Sequence, residues 1–392
     1  MVTKIFDVKL SEASAPQAGL ENYDHALFLL RQDGRPVGKV TVPVRNGAVD
    51  PRELRRAISV ETVVAASHII AAGWLPQSPP PKPPTATAVI CTRERPDDLR
   101  RALTSLVSQT PQAKEILVVD NCPATDATRA VVEEFTGVRY VCEPRKGLDN
   151  ARNRAIAESN TEVVAFIDDD AVADPGWLAA LVRPFADARV HCVTGLTMPL
   201  ELETEAQEKF ETLSGFSRRG FVKREFRSPP INPLATGNIG AGANMAMRRS
   251  VVDSVGRFDP ALDAGTVTQS GGDHEFFSRI LRAGHTIVYE PAALNWHRHR
   301  RTPAELRQAI FGYGVGIYAS WTRSFLVERD WGVFRRALGW LVREQIPRLI
   351  SSYFRPSKDW PRQLLWAELQ GCLRGPSAYF VARRTARKEG HE

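Results

Sequence analysis

The chain has 392 residues, of which 43% are hydrophobic and 25% are charged, a composition typical of folded globular proteins and unlike that of disordered ones. A chain of this length accommodates one large domain with smaller additions. Its formal net charge is +7, and the excess lies after residue 300, where 16 lysines and arginines accompany 8 acidic residues.

Residues 1–75 predict a small N-terminal accessory domain of strands and a helix (α+β). The stretch ALFLLRQDGRPVGKVTVPV places Asp33-Gly34 between two apolar runs, which is typical of a β-hairpin, and a helix is expected from Pro51. Prolines dominate residues 76–86 and disfavour both a helix and a central strand. We therefore interpret residues 76–86 as a linker.

The sequence favours a cytoplasmic location. The first residues, MVTKIFDVKLSEASA, lack the basic start and apolar core of a secretory signal. The best candidate for a membrane span, residues 63–75, is shorter than the ~18 apolar residues that a span requires. Five cysteines are scattered without a CxxC pair, which argues against both a disulfide framework and a zinc site.

Short apolar strands and amphipathic helices alternate from residue 87 onward. TAVIC, EILVVD and VRYVC are typical of strands, and Leu99, Ala102 and Leu106 follow the first at helical spacing. This alternation predicts an α/β domain with a doubly wound, mostly parallel sheet flanked by helices. Ligands of such sheets bind at the carboxyl ends of the strands. Polar residues occupy three of these ends: Thr92 and Glu94, Asp120 and Asn121, and Asp168, Asp169 and Asp170.

The three consecutive aspartates follow the apolar strand TEVVAFI. Carboxylates this close repel one another, so a compensating cation is expected where they converge. Mg²⁺ and Mn²⁺ prefer oxygen ligands and bind substrate phosphates at the same time. The alternative is an acidic cluster in a solvated loop, which the preceding apolar strand disfavours.

Asp273 lies between two glycines and a helix whose apolar face begins with Phe276 and Phe277. A carboxylate in this position can be an N-cap that accepts backbone N–H bonds. It can also be a general base that removes the proton of an acceptor hydroxyl. Both interpretations stay open at this point.

His297 and His299 follow the strand-like segment TIVYEP by a few residues. Alternate residues of an extended segment point to the same side, so the two rings share one face. Either ring could complete a metal shell begun by carboxylates, although a lone histidine is more often structural.

The glycine-rich stretch GNIGAGANMAMRRS contains Gly242 and Asn244. It lacks the spacing of a dinucleotide-binding motif and the Lys-Ser/Thr of a P-loop. Its glycines are expected to let the backbone approach a sugar or a phosphate, and we include Gly242 and Asn244 as a candidate substrate loop.

Seven stretches, read in order, resemble the motif series of family 2 glycosyltransferases with the GT-A fold: VICTRERPDDLRRALTSL, EILVVDNCPATDAT, EPRKGLDNARNRAI, VVAFIDDDAVADPGWLAAL, GANMAMRRS, GGDHEFFSRIL and NWHRHR. The resemblance covers roughly Thr87 to Tyr318, and we take residues 87–300 as the catalytic domain. It implies an inverting transferase that moves a sugar from a nucleoside-diphosphate sugar to an acceptor hydroxyl with Mn²⁺ or Mg²⁺.

The resemblance also implies a role for each candidate residue. Asp170 would be the principal metal ligand, Asp168 its helper, and His297 the third ligand with His299 as its substitute. Asp273 would be the catalytic base. The donor would be contacted by Thr92, Glu94, Asp120, Asn121, Lys146, Arg154, Asp168 and Asp169.

The chain departs from the family pattern in two places. Cys91, Arg93 and Glu94 stand where the family often has proline, an aromatic residue and asparagine, which leaves the nucleotide open among UDP, GDP and dTDP. Gly272 occupies the position of an acidic residue that commonly precedes the base.

Two other functions remain as alternatives. A Mg²⁺-dependent phosphotransferase or phosphohydrolase also uses aspartates at strand ends, but those with an aspartyl nucleophile resemble DxDxT near the start of the domain. Here DDDAV comes well inside the sheet. A non-catalytic sugar-binding protein on the same fold is the second alternative, and it would keep its ligand affinity when Asp273 is replaced.

Residues 301–392 predict basic, aromatic-rich helices, with Trp331, Phe334, Leu338 and Leu341 at helical spacing. Such helices can lie on an anionic membrane surface, which would suit a lipid-linked or glycan acceptor and a location on the inner face of the plasma membrane. They can equally cover the catalytic domain or form a dimer contact. We expect no nucleic-acid partner, because no recognisable binding module accompanies the charge.

Overall fold

The computed structural model of the chain describes residues 2–13, 18–61, 84–354 and 361–390. The apolar run 63–75 lies outside the described residues, as does the predicted linker up to residue 83. The described residues form a small N-terminal sheet, a larger central sheet and a C-terminal group of helices.

The N-terminal sheet contains the hairpin expected around Asp33-Gly34. Both turn residues have positive φ angles, 50° and 76°, which is the left-handed pair that a two-residue turn between twisted antiparallel strands requires. The hairpin prediction is therefore confirmed. The elements, in their order across the sheet, are β1 Thr3–Lys9, β2 His25–Gln32, β3 Arg35–Arg45 and β4 Ala48–Val49, and α1 follows at residues 51–61.

The central sheet has nine strands within the described residues. They are β5 Ala86–Thr92, β6 Glu115–Asn121, β7 Val138–Glu143, β8 Val163–Asp168, β9 Ala171–Ala173, β10 Val190–Pro199, β11 Arg224–Phe226, β12 Asn244–Arg248 and β13 Thr286–His297. The order is β11-β13-β10-β12-β8-β5-β6-β7, with β9 beside β13. Only β9, β11 and β12 run against the other six. The carboxyl ends of β5, β6, β8 and β13 therefore meet at one edge.

Helices cover both faces of this sheet. Val89 of β5 belongs to one hydrophobic core, and its neighbour Ile90 belongs to the core on the opposite face. Because both faces are covered, the strand is apolar at successive positions. The helices are α2 Pro96–Val107, α3 Ala127–Glu133, α4 Leu148–Glu158, α5 Trp177–Val182, α6 Glu205–Ser214, α7 Val251–Val255 and α8 Gly272–Arg282.

The C-terminal group comprises α9 Pro303–Glu328, α10 Gly332–Trp340, a π-helical turn Leu341–Gln345, α11 Ile346–Phe354 and α12 Arg362–Lys388. The two long helices, α9 and α12, lie in direct backbone contact. A Cβ atom on Gly371 would come within 2.1 Å of the Phe311 carbonyl oxygen, so only glycine permits this approach. No helix among the described residues combines the length and the apolar character that crossing a bilayer demands.

Candidate functional site

A cleft of about 710 Å³ opens at the carboxyl edge of the central sheet. This volume lies within the range usual for small-molecule sites. The ends of β5, β8 and β13 and the first turn of α8 contribute to its walls. The predicted site residues that line it are Thr92, Asn121, Asp168, Asp169, Asp170, Gly242, Asp273, His297 and His299.

Asp168, Asp170 and His297 converge in this cleft. One potential ligand atom of each lies within 4.8 Å of the others. Strand pairing explains the approach, because β9 aligns Ala171 with His297 across the sheet. His297 Nε2 is 3.0 Å from Asp170 Oδ1, and this buried oxygen accepts no hydrogen bond. Two carboxylates and one imidazole are a suitable set for Mn²⁺ or Mg²⁺.

The pKa values of the two aspartates in this cluster are shifted in opposite directions. Burial raises the pKa of Asp168 to about 6, and the negative charge of Asp170 adds to the effect. Burial also disfavours the ionised form of Asp170, but the positive charges of His297 and Arg95 outweigh it and lower its pKa. A further cation at the cluster would therefore favour ionisation of Asp168.

Asp169, the middle aspartate, is held by neighbouring side chains. Its Oδ2 accepts a hydrogen bond from Thr92 Oγ1 at 2.7 Å, and its Oδ1 accepts one from Arg95 Nη1 at 2.9 Å. The same nitrogen of Arg95 lies 3.1 Å from Asp170 Oδ2. Asp169 and Thr92 thus tie the ends of β8 and β5 together. Sequence reasoning missed Arg95, although it lies within the first of the family motifs.

Asp273 is the second residue of α8, and Gly271 occupies the N-cap position. The carboxylate accepts two backbone hydrogen bonds of 2.7 Å, from Gly242 N to Oδ2 and from His274 N to Oδ1. Burial opposes its ionisation, but the positive charges of His274 and Arg152 and these two bonds outweigh burial and lower its pKa. Asp273 is therefore an ionised carboxylate fixed in the wall of the cleft.

A buried ion pair network lies next to Gly272. Arg152 Nη1 is 2.8 Å from Asp149 Oδ1 and 2.7 Å from Asp263 Oδ2. A Cβ atom on Gly272 would lie 2.1 Å from Asp149 Oδ2. The acidic residue that the family commonly has before the base has no room here, because a carboxylate from α4 fills that space.

His299 lies behind His297 and outside the three-residue cluster. The two Nδ1 atoms are 3.4 Å apart, and His299 Nε2 is 3.1 Å from Glu211 Oε2. Glu211 Oε1 lies 3.0 Å from Lys39 Nζ, on the N-terminal sheet. His299, which the sequence offered as a substitute ligand, therefore lies between His297 and Glu211. Neither Glu211 nor Lys39 was a sequence candidate.

Residues 87–256 match the family model described as glycosyl transferase family 2. These residues form a family 2 glycosyltransferase domain. The three aspartates and Thr92 lie within the matched range, whereas Asp273 and His297 come after it in the chain. The site of the glycosyltransferase domain is therefore completed by segments that follow the matched residues.

The chain is similar to bacterial and archaeal proteins. It is 29% identical over 248 residues to pre-mycofactocin glycosyltransferase of Mycobacterium tuberculosis (strain H37Rv), a match that covers 59% of this chain and 48% of that protein. It is 24% identical over 273 residues to glycosyltransferase AglE of Haloferax volcanii, covering 68% and 82%. The chain thus spans about half the length of the mycobacterial relative.

Among solved structures, the chain resembles the mannosyltransferase PcManGT from Pyrobaculum calidifontis, solved with GDP-Man and Mn²⁺. The TM-score is 0.53 at 16% identity, and the match covers 79% of this chain and 93% of the other. At this sequence identity the structural similarity is evidence for the fold alone. The fold is GT-A, as the motif series implied.

Three predicted donor contacts lie away from the cleft lining. The carboxylate of Glu94 accepts hydrogen bonds from the backbone nitrogens of Ala124 and Thr125, at 2.7 and 3.1 Å. These bonds hold the loop after β6 in place. Asp120 is buried and accepts a hydrogen bond of 3.0 Å from Tyr140 Oη. Lys146 is exposed in the loop before α4.

Two further predicted site residues, Arg154 and Asn244, also make their hydrogen bonds outside the cleft. Arg154 Nε bonds to Glu158 Oε1 at 2.9 Å on the surface of α4, and it is Arg152, two residues earlier, that lines the cleft. Asn244 is buried within the sheet, where its Nδ2 donates to two carbonyl oxygens at 2.9 Å and its Oδ1 accepts from Trp177 Nε1 at 2.8 Å. Of the two residues proposed for the substrate loop, Gly242 lines the cleft and Asn244 does not.

Proposed function

We propose that the protein is an inverting glycosyltransferase that moves a sugar from a nucleoside-diphosphate sugar to an acceptor hydroxyl, with a divalent cation. The observation that carries this proposal is the convergence of Asp168, Asp170 and His297 in the same cleft as the ionised Asp273. The membership of residues 87–256 in family 2 supports it.

The three-residue cluster fits a divalent cation. Asp170 Oδ1 is buried without a hydrogen bond, and the raised pKa of Asp168, about 6, means that added positive charge would favour its ionised form. When bound, Mn²⁺ or Mg²⁺ would supply the positive charge that stabilises a diphosphate leaving group. The structurally similar mannosyltransferase was solved with Mn²⁺ and a nucleotide sugar, which is the same combination of ligands.

Asp273 is the residue that we assign as the base. The N–H groups of Gly242 and His274 hold its carboxylate in place. In the proposed reaction the carboxylate takes the proton of the acceptor hydroxyl, the acceptor oxygen bonds to the anomeric carbon, and the bond from that carbon to the diphosphate breaks. A single displacement inverts the configuration at this carbon.

The side of the cleft nearest the C-terminal helices is aromatic. Phe216, Tyr313, Trp321 and Trp340 line it. Aromatic rings present flat apolar faces on which the C–H face of a sugar can pack, so we assign this side to the transferred sugar or the acceptor.

The first test is a thermal-shift panel of UDP, GDP and dTDP with and without Mn²⁺. A ligand that binds only the folded protein raises its apparent stability, so we expect one nucleotide to raise the melting temperature only when Mn²⁺ is present. No metal-dependent shift with any nucleotide would count against the proposal.

The second test uses the matching donor and Asp273→Asn. This variant should keep the metal-dependent shift and lose transfer by about 10²-fold or more, because the base contributes to the reaction step. Asp253→Asn, in α7 and outside the cleft lining, is the control. Release of inorganic phosphate without sugar transfer would favour a phosphohydrolase, and unchanged behaviour of Asp273→Asn would favour a binding protein.

A further inference from the structure

The helical segment from residue 331 to residue 354 exposes a continuous apolar row. We call it the outer stripe and define it by Trp331, Phe334, Leu338, Val342, Ile346 and Ile350, which follow one another at intervals of three or four residues. Their exposed fractions range from 41% at Ile346 to 70% at Trp331. At 1.5 Å per residue the segment is roughly 35 Å long.

The second half of this segment has its apolar side outward. The buried residues of the π-helical turn and of α11 are Gln345 and Ser352, both polar. A helix that packs only on its own protein turns its apolar side inward and its polar side to water. The arrangement here is the reverse, and Tyr353 and Phe354, exposed by 52% and 82%, extend it. The outer stripe therefore requires an apolar environment that the described residues do not supply.

The charges beside the outer stripe identify the kind of partner. Residues 331–354 contain four arginines and one glutamate, and Arg335 and Arg343 are exposed. Aromatic residues stand at both ends of the row. Basic residues beside an apolar helix face, with aromatic rings at the boundary, are the features of helices that lie in the interface of an anionic bilayer.

We propose that α10 and α11 lie flat on an anionic lipid bilayer, with the outer stripe among the acyl chains and Arg335 and Arg343 at the headgroups. A second copy of the chain is a poorer partner, because a twofold contact brings the same patch of each copy together and would oppose like charges. On the inner side of the same segment Arg336 and Trp340 line the cleft. Docking therefore sets the mouth of the cleft beside the membrane.

The test is co-flotation of the whole chain with vesicles. Vesicles of phosphatidylglycerol and phosphatidylcholine in equal parts should carry the protein upward, and vesicles of phosphatidylcholine alone should carry far less. High salt should weaken the binding, since headgroup attraction is screened. No flotation with the anionic vesicles at low salt would overturn the proposal.

Two double variants and a control assign the surface. Leu338→Glu with Ile350→Glu, and separately Arg335→Glu with Arg343→Glu, should each reduce vesicle binding by at least about tenfold. Val60→Glu, which alters a 67% exposed valine in α1, should leave it unchanged. Melting temperatures near that of the wild type would show that the variants fold, since all five side chains are exposed.

Unchanged vesicle binding by both double variants would overturn the assignment. A concentration-dependent dimer that Leu338→Glu with Ile350→Glu abolishes, without any vesicle binding by the wild type, would instead identify a second copy as the partner. Neither readout uses sugar transfer, so failure here leaves the proposed function untouched.

Discussion

Lys39 and Glu211 form an ion pair, 3.0 Å between Nζ and Oε1, that connects the N-terminal sheet with the cleft. The second oxygen of Glu211 faces His299 Nε2 at 3.1 Å. If His299 donates its Nε2–H to this carboxylate, its Nδ1 is free to accept from His297 Nδ1–H. In this arrangement Nδ1 of His297 carries a proton, and Nε2, the atom that faces Asp170, is the one that would bind a metal after losing its own proton.

The first prediction concerns this support of His297. Lys39→Met should weaken Mn²⁺ binding by about tenfold, because residues that orient a metal-bound histidine commonly contribute that much. Isothermal titration with Mn²⁺ measures it without any donor or acceptor. Lys9→Met, an exposed lysine of β1, is the control. Equal affinity of Lys39→Met and the wild type would contradict the role.

Asp170 and Asp169 are adjacent but should respond differently to the same change. Asp170→Asn should abolish the Mn²⁺-dependent rise in melting temperature, because it removes the charge of a buried carboxylate at the centre of the cluster. Asp169→Asn should retain most of that rise but lower the stability of the metal-free protein by about 1–3 kcal/mol, since it weakens the hydrogen bonds to Thr92 and Arg95. Loss of the Mn²⁺ response in Asp169→Asn alone would reverse the assignment.

Asp168 leads to a prediction about pH. Its pKa is raised to about 6 by burial and by Asp170, so the folded metal-free protein holds this proton more tightly than the unfolded chain does. Ionisation therefore costs stability, and the loss grows as pH rises from about 4 to about 6 and stays constant above. The metal-free Asp168→Asn variant should be more stable than the wild type by about 1–3 kcal/mol near neutral pH.

This difference should shrink as pH falls towards about 4, where Asp168 is protonated in the folded wild type. Thermal unfolding in the presence of a chelator, repeated across the pH range, measures it. Added Mn²⁺ should stabilise the wild type and leave the variant almost unaffected. A variant less stable than the wild type near neutral pH would contradict the raised pKa of Asp168.

Gly272 gives a prediction about packing next to the base. Gly272→Ala would bring a Cβ atom to 2.1 Å from Asp149 Oδ2, and the buried network with Arg152 would have to shift. Overpacking of this kind typically costs about 1–3 kcal/mol, so the melting temperature should fall and transfer should fall with it. Gly176→Ala, where the added atom meets nothing within 4 Å, should change neither. Equal melting temperatures of the two variants would contradict the steric argument.

The sequence predicted which strand ends form the cleft, but it did not predict where every side chain points. Neighbouring residues at a strand end face opposite sides. Asn121 therefore lines the cleft while Asp120, one position earlier, is buried against Tyr140. On α4, Arg152 and Arg154 are separated by about 200° around the helix axis, and only Arg152 faces the cleft.

Other features depend on tertiary contacts that no local pattern reveals. Glu211 and Lys39 reach His299 from α6 and from the N-terminal sheet, far away in the chain. In the C-terminal segment, helical spacing correctly indicated an amphipathic helix, but it did not indicate which side packs on the protein. Trp331, Phe334 and Leu338 turned out to be exposed.

The close contact between α8 and α9 has a consequence for protein synthesis. A Cβ atom on Gly271 would lie 2.4 Å from the Gly316 carbonyl oxygen. The turn that positions Asp273 is therefore in direct backbone contact with α9. Domains begin to fold as they emerge from the ribosome, the N-terminal parts first. The strand end that carries the three aspartates is thus synthesised early, whereas the base can reach its final position only after α9 has been translated.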